Sequence, residues 1–233
     1  MSYSSRVMED VRQYPELKII DAQKIHKQKF NEIPESAFYK AVSRLAKAGE
    51  IERISKGIYC RPKKGRFGTT ISNEKNILSY FLGEKKNKGV VIGYRLFNKY
   101  GLTTQISKTI ELYSRVIIQE KRKVRNILVH KANLRFDTTT IKLIELFEIL
   151  QEYKNIEDFN INNFIKFIEE AVKYYDERTV EKIIKSIGYK KSTLASLRNV
   201  LEFFGIENTI DEYLNGTSKY NAINMEEIYE STS

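Results

Sequence analysis

The stretch SAFYKAVSRLAKAGEIERISKGIYCRP, Ser36 to Pro62, decides how the first third of the chain folds. Its first half has helical periodicity. At about 100° per residue, Phe38, Ala41, Val42, Leu45 and Ala48 share one arc, and Ser36, Tyr39, Lys40, Ser43, Arg44 and Lys47 share the other. A helix is therefore predicted from about Glu35 to Ala48, with Gly49 in the left-handed position that ends it. Its second half changes period. Glu50–Ser55 and Gly57–Arg61 alternate apolar and polar around Lys56-Gly57, the mark of a tight hairpin.

Upstream, Ser4 or Ser5 caps a first helix that carries Val7, Met8 and Val11 and ends near Pro15. Lys18–Ile20 reads as a short strand. Asp21 is a cap for a second helix, Ala22 to about Gln28, and Phe30–Pro34 is a turn with two buried anchors. Helix, strand, helix, helix and hairpin, in that order, is the layout of a winged helix-turn-helix. It puts the Glu35–Ala48 helix in the recognition position. Arg61–Thr70, with Pro62, Gly65, Gly68 and four basic residues, is expected to be a loop that closes a first domain at residue 68.

Downstream, a helix over Glu74–Leu82 is capped by Ser72 or Asn73. A buried run and a helix ending at Gly101 lie within Val90–Gln105. Lys108–Arg115 and Arg125–Ala132 alternate as strands, and Val116–Lys123 is expected to hold another strand and a charged turn. Thr139–Tyr153 and three later segments are amphipathic helices, and Thr209–Gly216 is a last short one. The segment after Gly216 is polar and expected to be mobile. The fold class is α+β: an N-terminal winged helix (1–68), a larger mixed domain ending in helices (69–216) and a polar tail (217–233).

Net charge is +10, unevenly spread. Residues 1–70 hold 15 basic and 8 acidic residues, residues 71–153 hold 15 and 8, and residues 154–233 hold 10 and 14. A basic front points to a polyanion partner, although an AT-rich codon bias toward Lys and Asn gives the same balance. Cys60 is the only cysteine, so no internal disulfide forms, which suits a reducing cytosol. The polar start lacks a signal-peptide core, and no apolar run approaches the roughly 18 residues of a membrane span, so a cytoplasmic protein without a membrane partner is expected.

No nucleophile, dinucleotide or phosphate-loop motif is present. His26 and His130 stand in no spaced ligand pattern, and the acids follow helix surfaces. The expectation is a non-enzyme with no catalytic residue, metal or cofactor. The candidate DNA-binding residues are Ser36, Tyr39, Lys40, Ser43, Arg44 and Lys47 on the helix, Lys56 at the hairpin tip, and Arg61, Lys63, Lys64 and Arg66 after it. Lysine and arginine supply phosphate contacts, and arginine also pairs with a guanine edge. Lys121, Arg122, Lys123 and Arg125 form a second basic cluster that either extends the footprint or is a charged hairpin tip.

The run AVSRLAKAGEIERISKGIYCRPKKGRFG (Ala41–Gly68) resembles the winged-helix domain of the AbiEi antitoxins of type IV, abortive-infection toxin–antitoxin systems. IGYRLFNKYGLTTQISKTIELYS (Ile92–Ser114) and YKKSTLASLRNVLEFFG (Tyr189–Gly205) are similar to later segments of that family, while Asn155–Ile187 and the tail have no counterpart. The resemblance implies a repressor of its own operon that binds double-stranded operator DNA. It further implies a second domain that counters a nucleotidyltransferase-like toxin without necessarily forming a stable complex with it. Two other readings stay open: a stand-alone regulator whose second domain senses a ligand or dimerises, and a metal-dependent nuclease.

Overall fold

The computed structural model describes residues 3–66, 68–216 and 219–232. Met1 and Ser2 of the polar start, Phe67 of the expected loop, and Thr217, Ser218 and Ser233 of the expected tail lie outside the described residues.

The chain is a mixed α+β structure. Its elements are α1 (Tyr3–Arg12), β1 (Ile19–Asp21), α2 (Ala22–Lys29), α3 (Glu35–Lys47), β2 (Glu52–Ser55), β3 (Ile58–Cys60), β4 (Lys63–Gly65), β5 (Gly68–Thr70), α4 (Glu74–Leu82), β6 (Gly89–Ile92), α5 (Tyr94–Lys99), β7 (Ile110–Ser114), β8 (Lys121–Val124), β9 (Ile127–Lys131), α6 (Thr138–Glu152), α7 (Ile161–Ala171), α8 (Glu177–Ile187), α9 (Lys191–Phe203) and α10 (Met225–Glu230).

In the N-terminal part, α1, α2 and α3 enclose Val7, Val11, Ile25, Phe30, Ile33, Phe38, Val42 and Leu45. Phe38, Ala41, Val42 and Leu45 of the apolar arc are buried, whereas Ala48, at the helix end, is exposed. α3 stops because Gly49 takes φ +69°, with the Glu50 amide bonding the Leu45 carbonyl and the Gly49 amide the Ala46 carbonyl. That pairing is a Schellman cap. β1, β3 and β2 form a small antiparallel sheet in that order.

A second sheet, ordered β6-β7-β9-β8, pairs β7 with β9 in parallel and its other neighbours antiparallel. Ile110, Leu112, Val124, Ile127 and Val129 of this sheet join α4 residues Ile77 and Phe81 and the first sheet's Ile19, Ile54, Ile58 and Cys60 in one apolar cluster. The expected division at residue 68 is thus bridged by a shared core. A polar bond reinforces it: Ser72 Oγ donates to the Leu17 carbonyl at 2.6 Å. Val90 and Ile92, whose strand partners are Tyr113 and Glu111, pack instead with the helices α5 to α9.

Three expectations are corrected. Within the expected loop Arg61–Thr70, Lys63–Gly65 and Gly68–Thr70 are instead the two strands of an exposed antiparallel ribbon, β4 with β5. Its strands bury no apolar face, so no alternation announced them. The strand expected within Val116–Lys123 lies later, at Lys121–Val124, and Lys121–Arg125 is therefore an edge strand and its turn rather than a hairpin tip. Arg122 and Val124 face inward and Arg125 turns the chain with φ +54°. The segment after Gly216 is not simply a mobile polar tail: Ile223 and Met225 are buried in the helical core, and Met225 opens α10.

A polar cluster sits between the second sheet and α6. Tyr189 donates to the buried Glu148 at 2.8 Å, and His130 pairs with Glu111 at 3.2 Å. Burial raises the Glu148 carboxyl to about 7, against the opposing pull of the Tyr189 and Tyr113 hydroxyls. A carboxyl raised in the folded state stabilises the fold below its unfolded value, and that contribution is lost as pH rises from about 4.5 through about 7. Glu148→Gln should therefore stabilise the protein by up to about 3 kcal/mol at pH 8 and by little at pH 5. Urea titrations at both pH values check this; an equal effect at the two would contradict it.

Candidate nucleic-acid interface

The site is built on α3. Its apolar arc is fixed by the core, so the polar arc has no choice but to face out. Ser36, Lys40, Ser43, Arg44 and Lys47 are exposed, and Tyr39 is half-buried. Among the described residues, the side chains of Lys40, Arg44 and Lys47 have no hydrogen-bond or ion-pair partner within the chain. Three cations on thirteen residues are thus left facing solvent.

His26 supports the helix from beneath. Its Nε2 donates to the Ile33 carbonyl at 2.8 Å, and its ring lies 4.9 Å from that of Phe38. This is a structural histidine that fixes the turn between α2 and α3. The cap expected at Asp21 is present: its Oδ1 accepts from the Lys24 amide at 3.2 Å. Arg12 grips Glu50 with two bonds, at 2.7 and 2.9 Å, tying α1 to the residue after the α3 cap.

The β2–β3 hairpin turns at Lys56-Gly57, with Gly57 at φ +73°. Lys56 is exposed there, and Arg53 on β2 is an exposed cation that residue spacing alone did not single out. Its only signal was its outward place beside Ile54. The β4–β5 ribbon leaves the opposite end of β3 and carries Lys63, Lys64 and Arg66 in solvent.

Two expected contacts are withdrawn. Arg61 is half-buried and donates to the carbonyls of Arg12 and Tyr14, at 2.6 and 2.8 Å. It satisfies two carbonyls at the end of α1. Arg122 is 8% exposed and paired with Asp21, so the second basic cluster is reduced to the exposed Lys121, Lys123 and Arg125. Of these, Arg125 is partly engaged at the Ser72 carbonyl. Both arginines were misplaced for one reason: the chain offers carbonyls and a carboxylate that sequence spacing does not reveal.

Elsewhere, a groove of about 680 Å³ separates Pro15–Ile19 from the end of α4 and the turn after it, with Tyr80, Glu84 and Lys88 in its wall. Among the described residues, no group of three or more His, Cys, Asp or Glu side chains converges as a metal site would require. No helix among them is long and apolar enough to cross a membrane.

Residues 25–191 match the model of a family described as of unknown function, DUF6088. No curated protein matches the chain. Among solved structures, the crystal structure of the RV2827C protein from Mycobacterium tuberculosis aligns with a TM-score of 0.38 and 12% identity, over 87% of this chain and 77% of that one.

Proposed function

We propose that this chain, which belongs to the DUF6088 family of unknown function, is a cytoplasmic DNA-binding protein that represses its own operon and acts as the antitoxin of a nucleotidyltransferase-like toxin. The single observation that carries the DNA half is the two-sided α3: a buried arc of Phe38, Ala41, Val42 and Leu45 and an outward arc of unpaired Lys40, Arg44 and Lys47. In a winged helix such a helix lies in a major groove. Lys40 and Lys47 then meet phosphates, Arg44 reads a base edge or a phosphate, and Ser36, Tyr39 and Ser43 hydrogen-bond to either. Lys56 and Arg53 serve the hairpin, and Lys63, Lys64 and Arg66 lay the ribbon along the backbone. The antitoxin half rests on the resemblance of Ala41–Gly68, Ile92–Ser114 and Tyr189–Gly205 to AbiEi antitoxins.

A titration against a duplex from its own upstream region and a scrambled duplex, at several salt concentrations, tests the DNA half. The upstream duplex should bind on the order of a thousandfold more tightly. The logarithm of affinity should fall with that of salt by about 0.9 per phosphate neutralised. Equal affinity for the two duplexes, or none for either, rules the reading out.

The groove beside Tyr80 favours a second reading, a regulator that answers to a ligand held between Pro15–Ile19 and the end of α4. The neighbouring gene separates the two: a toxin gene beside this one supports the first, and its absence the second.

A further inference from the structure

Asp21 stands where β1 becomes α2, and it has two jobs. One oxygen caps α2 at the Lys24 amide, and the other accepts from Arg122 Nη1 at 2.5 Å. The pair joins residues 101 positions apart, and the two side chains are only 7% and 4% exposed. The other nitrogen of Arg122, Nη2, lies 3.5 Å from the carbonyl of Lys56, in the hairpin turn. A Cβ added at Gly57 would come within 3.3 Å of that nitrogen, so the turn and the guanidinium fit closely. The Ala22 amide bonds the Gly57 carbonyl at 3.0 Å and completes the junction between α2 and the hairpin. The half-buried Tyr39 of α3 lies within the field of both Asp21 and Arg122. One guanidinium from β8 thus meets the start of α2 and the hairpin turn, beside α3.

A buried ion pair adds little net stability over a well-packed apolar pair, because desolvation offsets the attraction. What it adds is direction: the guanidinium donates in a fixed plane, so its acceptors are held at set angles. We infer that Arg122 is a positioning residue by which the second sheet sets the angle between α2, α3 and the hairpin, and so sets DNA affinity without touching DNA. The inference rests on the DNA-binding reading above. It makes the second domain a partner in reading the operator, and it gives an event on β8 a path to the DNA-binding face.

The test uses full-length Arg122→Met, the pair Asp21→Asn with Arg122→Met, and Lys40→Ala as a contact control. Each is titrated against the upstream duplex over a range of salt, with thermal unfolding measured alongside. Arg122→Met should weaken binding at least tenfold and leave the salt slope unchanged, whereas Lys40→Ala should lower the slope by about 1. If Arg122→Met does not stay folded, the double variant, which leaves no full charge buried at the junction, should show the same loss at unchanged slope. Wild-type affinity in a folded double variant overturns the inference alone. A slope lowered by about 1 in Arg122→Met overturns it too, because a phosphate contact would then explain the loss. No preference of the wild-type protein for its upstream duplex overturns the DNA-binding reading and this inference together.

Discussion

Replacing Lys40 and Arg44 together with alanine is expected to weaken operator binding by roughly 2–5 kcal/mol, about 30- to 5,000-fold, with the fold unchanged. The two residues are four apart, so they stand one above the other on the same helical face. Both are exposed. Neither is bonded to the rest of the chain among the described residues, so truncation leaves no buried charge and opens no cavity. The whole effect therefore falls on the complex. Fluorescence anisotropy at fixed salt measures it, and a circular-dichroism melt confirms that both proteins are equally folded. A fall in salt slope of about 2 would assign both residues to phosphates; a fall of about 1 with relaxed sequence preference would assign Arg44 to a base. Unchanged affinity would move the reading element off α3.

Phe38→Ala acts on the other side of the same helix and is expected to cost about 3–5 kcal/mol of folding stability. Phe38 is 1% exposed, and its ring lies 4.9 Å from that of His26, 5.8 Å from Phe30 and 5.5 Å from Tyr39. Removing the ring opens a cavity in the apolar cluster that α1, α2 and α3 share. For a chain of this size each kcal/mol lowers the melting point by about 2–4 °C, so a fall on the order of 10 °C is expected. A loss below about 1 kcal/mol would show that Phe38 does not anchor the bundle. Together the two experiments separate the arcs of α3: one variant loses the ligand and keeps the fold, and the other loses the fold.

Local patterns were legible wherever one residue's neighbours decide its state. The period of Phe38, Val42 and Leu45, the glycine at position 49, the cap at Asp21 and the alternation about Gly57 each rest on interactions within a few residues, and each element stands where it was expected. The β4–β5 ribbon was not legible, because a strand pair with no buried face leaves no apolar period. β8 was misread because lysine and arginine conceal the alternation of Arg122 and Val124, and only a partner strand shows which side is inner. The buried Ile223 and Met225 were lost in a polar segment for a similar reason: two apolar residues define no period.

By itself the sequence determined an α+β chain, the first three helices with their hairpin, and the outward set of Lys40, Ser43, Arg44 and Lys47. The tertiary structure alone decided which of the basic residues stay available. Arg44 and Arg122 have the same side chain, yet one faces solvent and the other is locked to Asp21 across 101 positions. A charge seeks the nearest compensating group once it leaves water, and that group is chosen by the packing of one sheet on another, over distances in sequence that no local pattern spans.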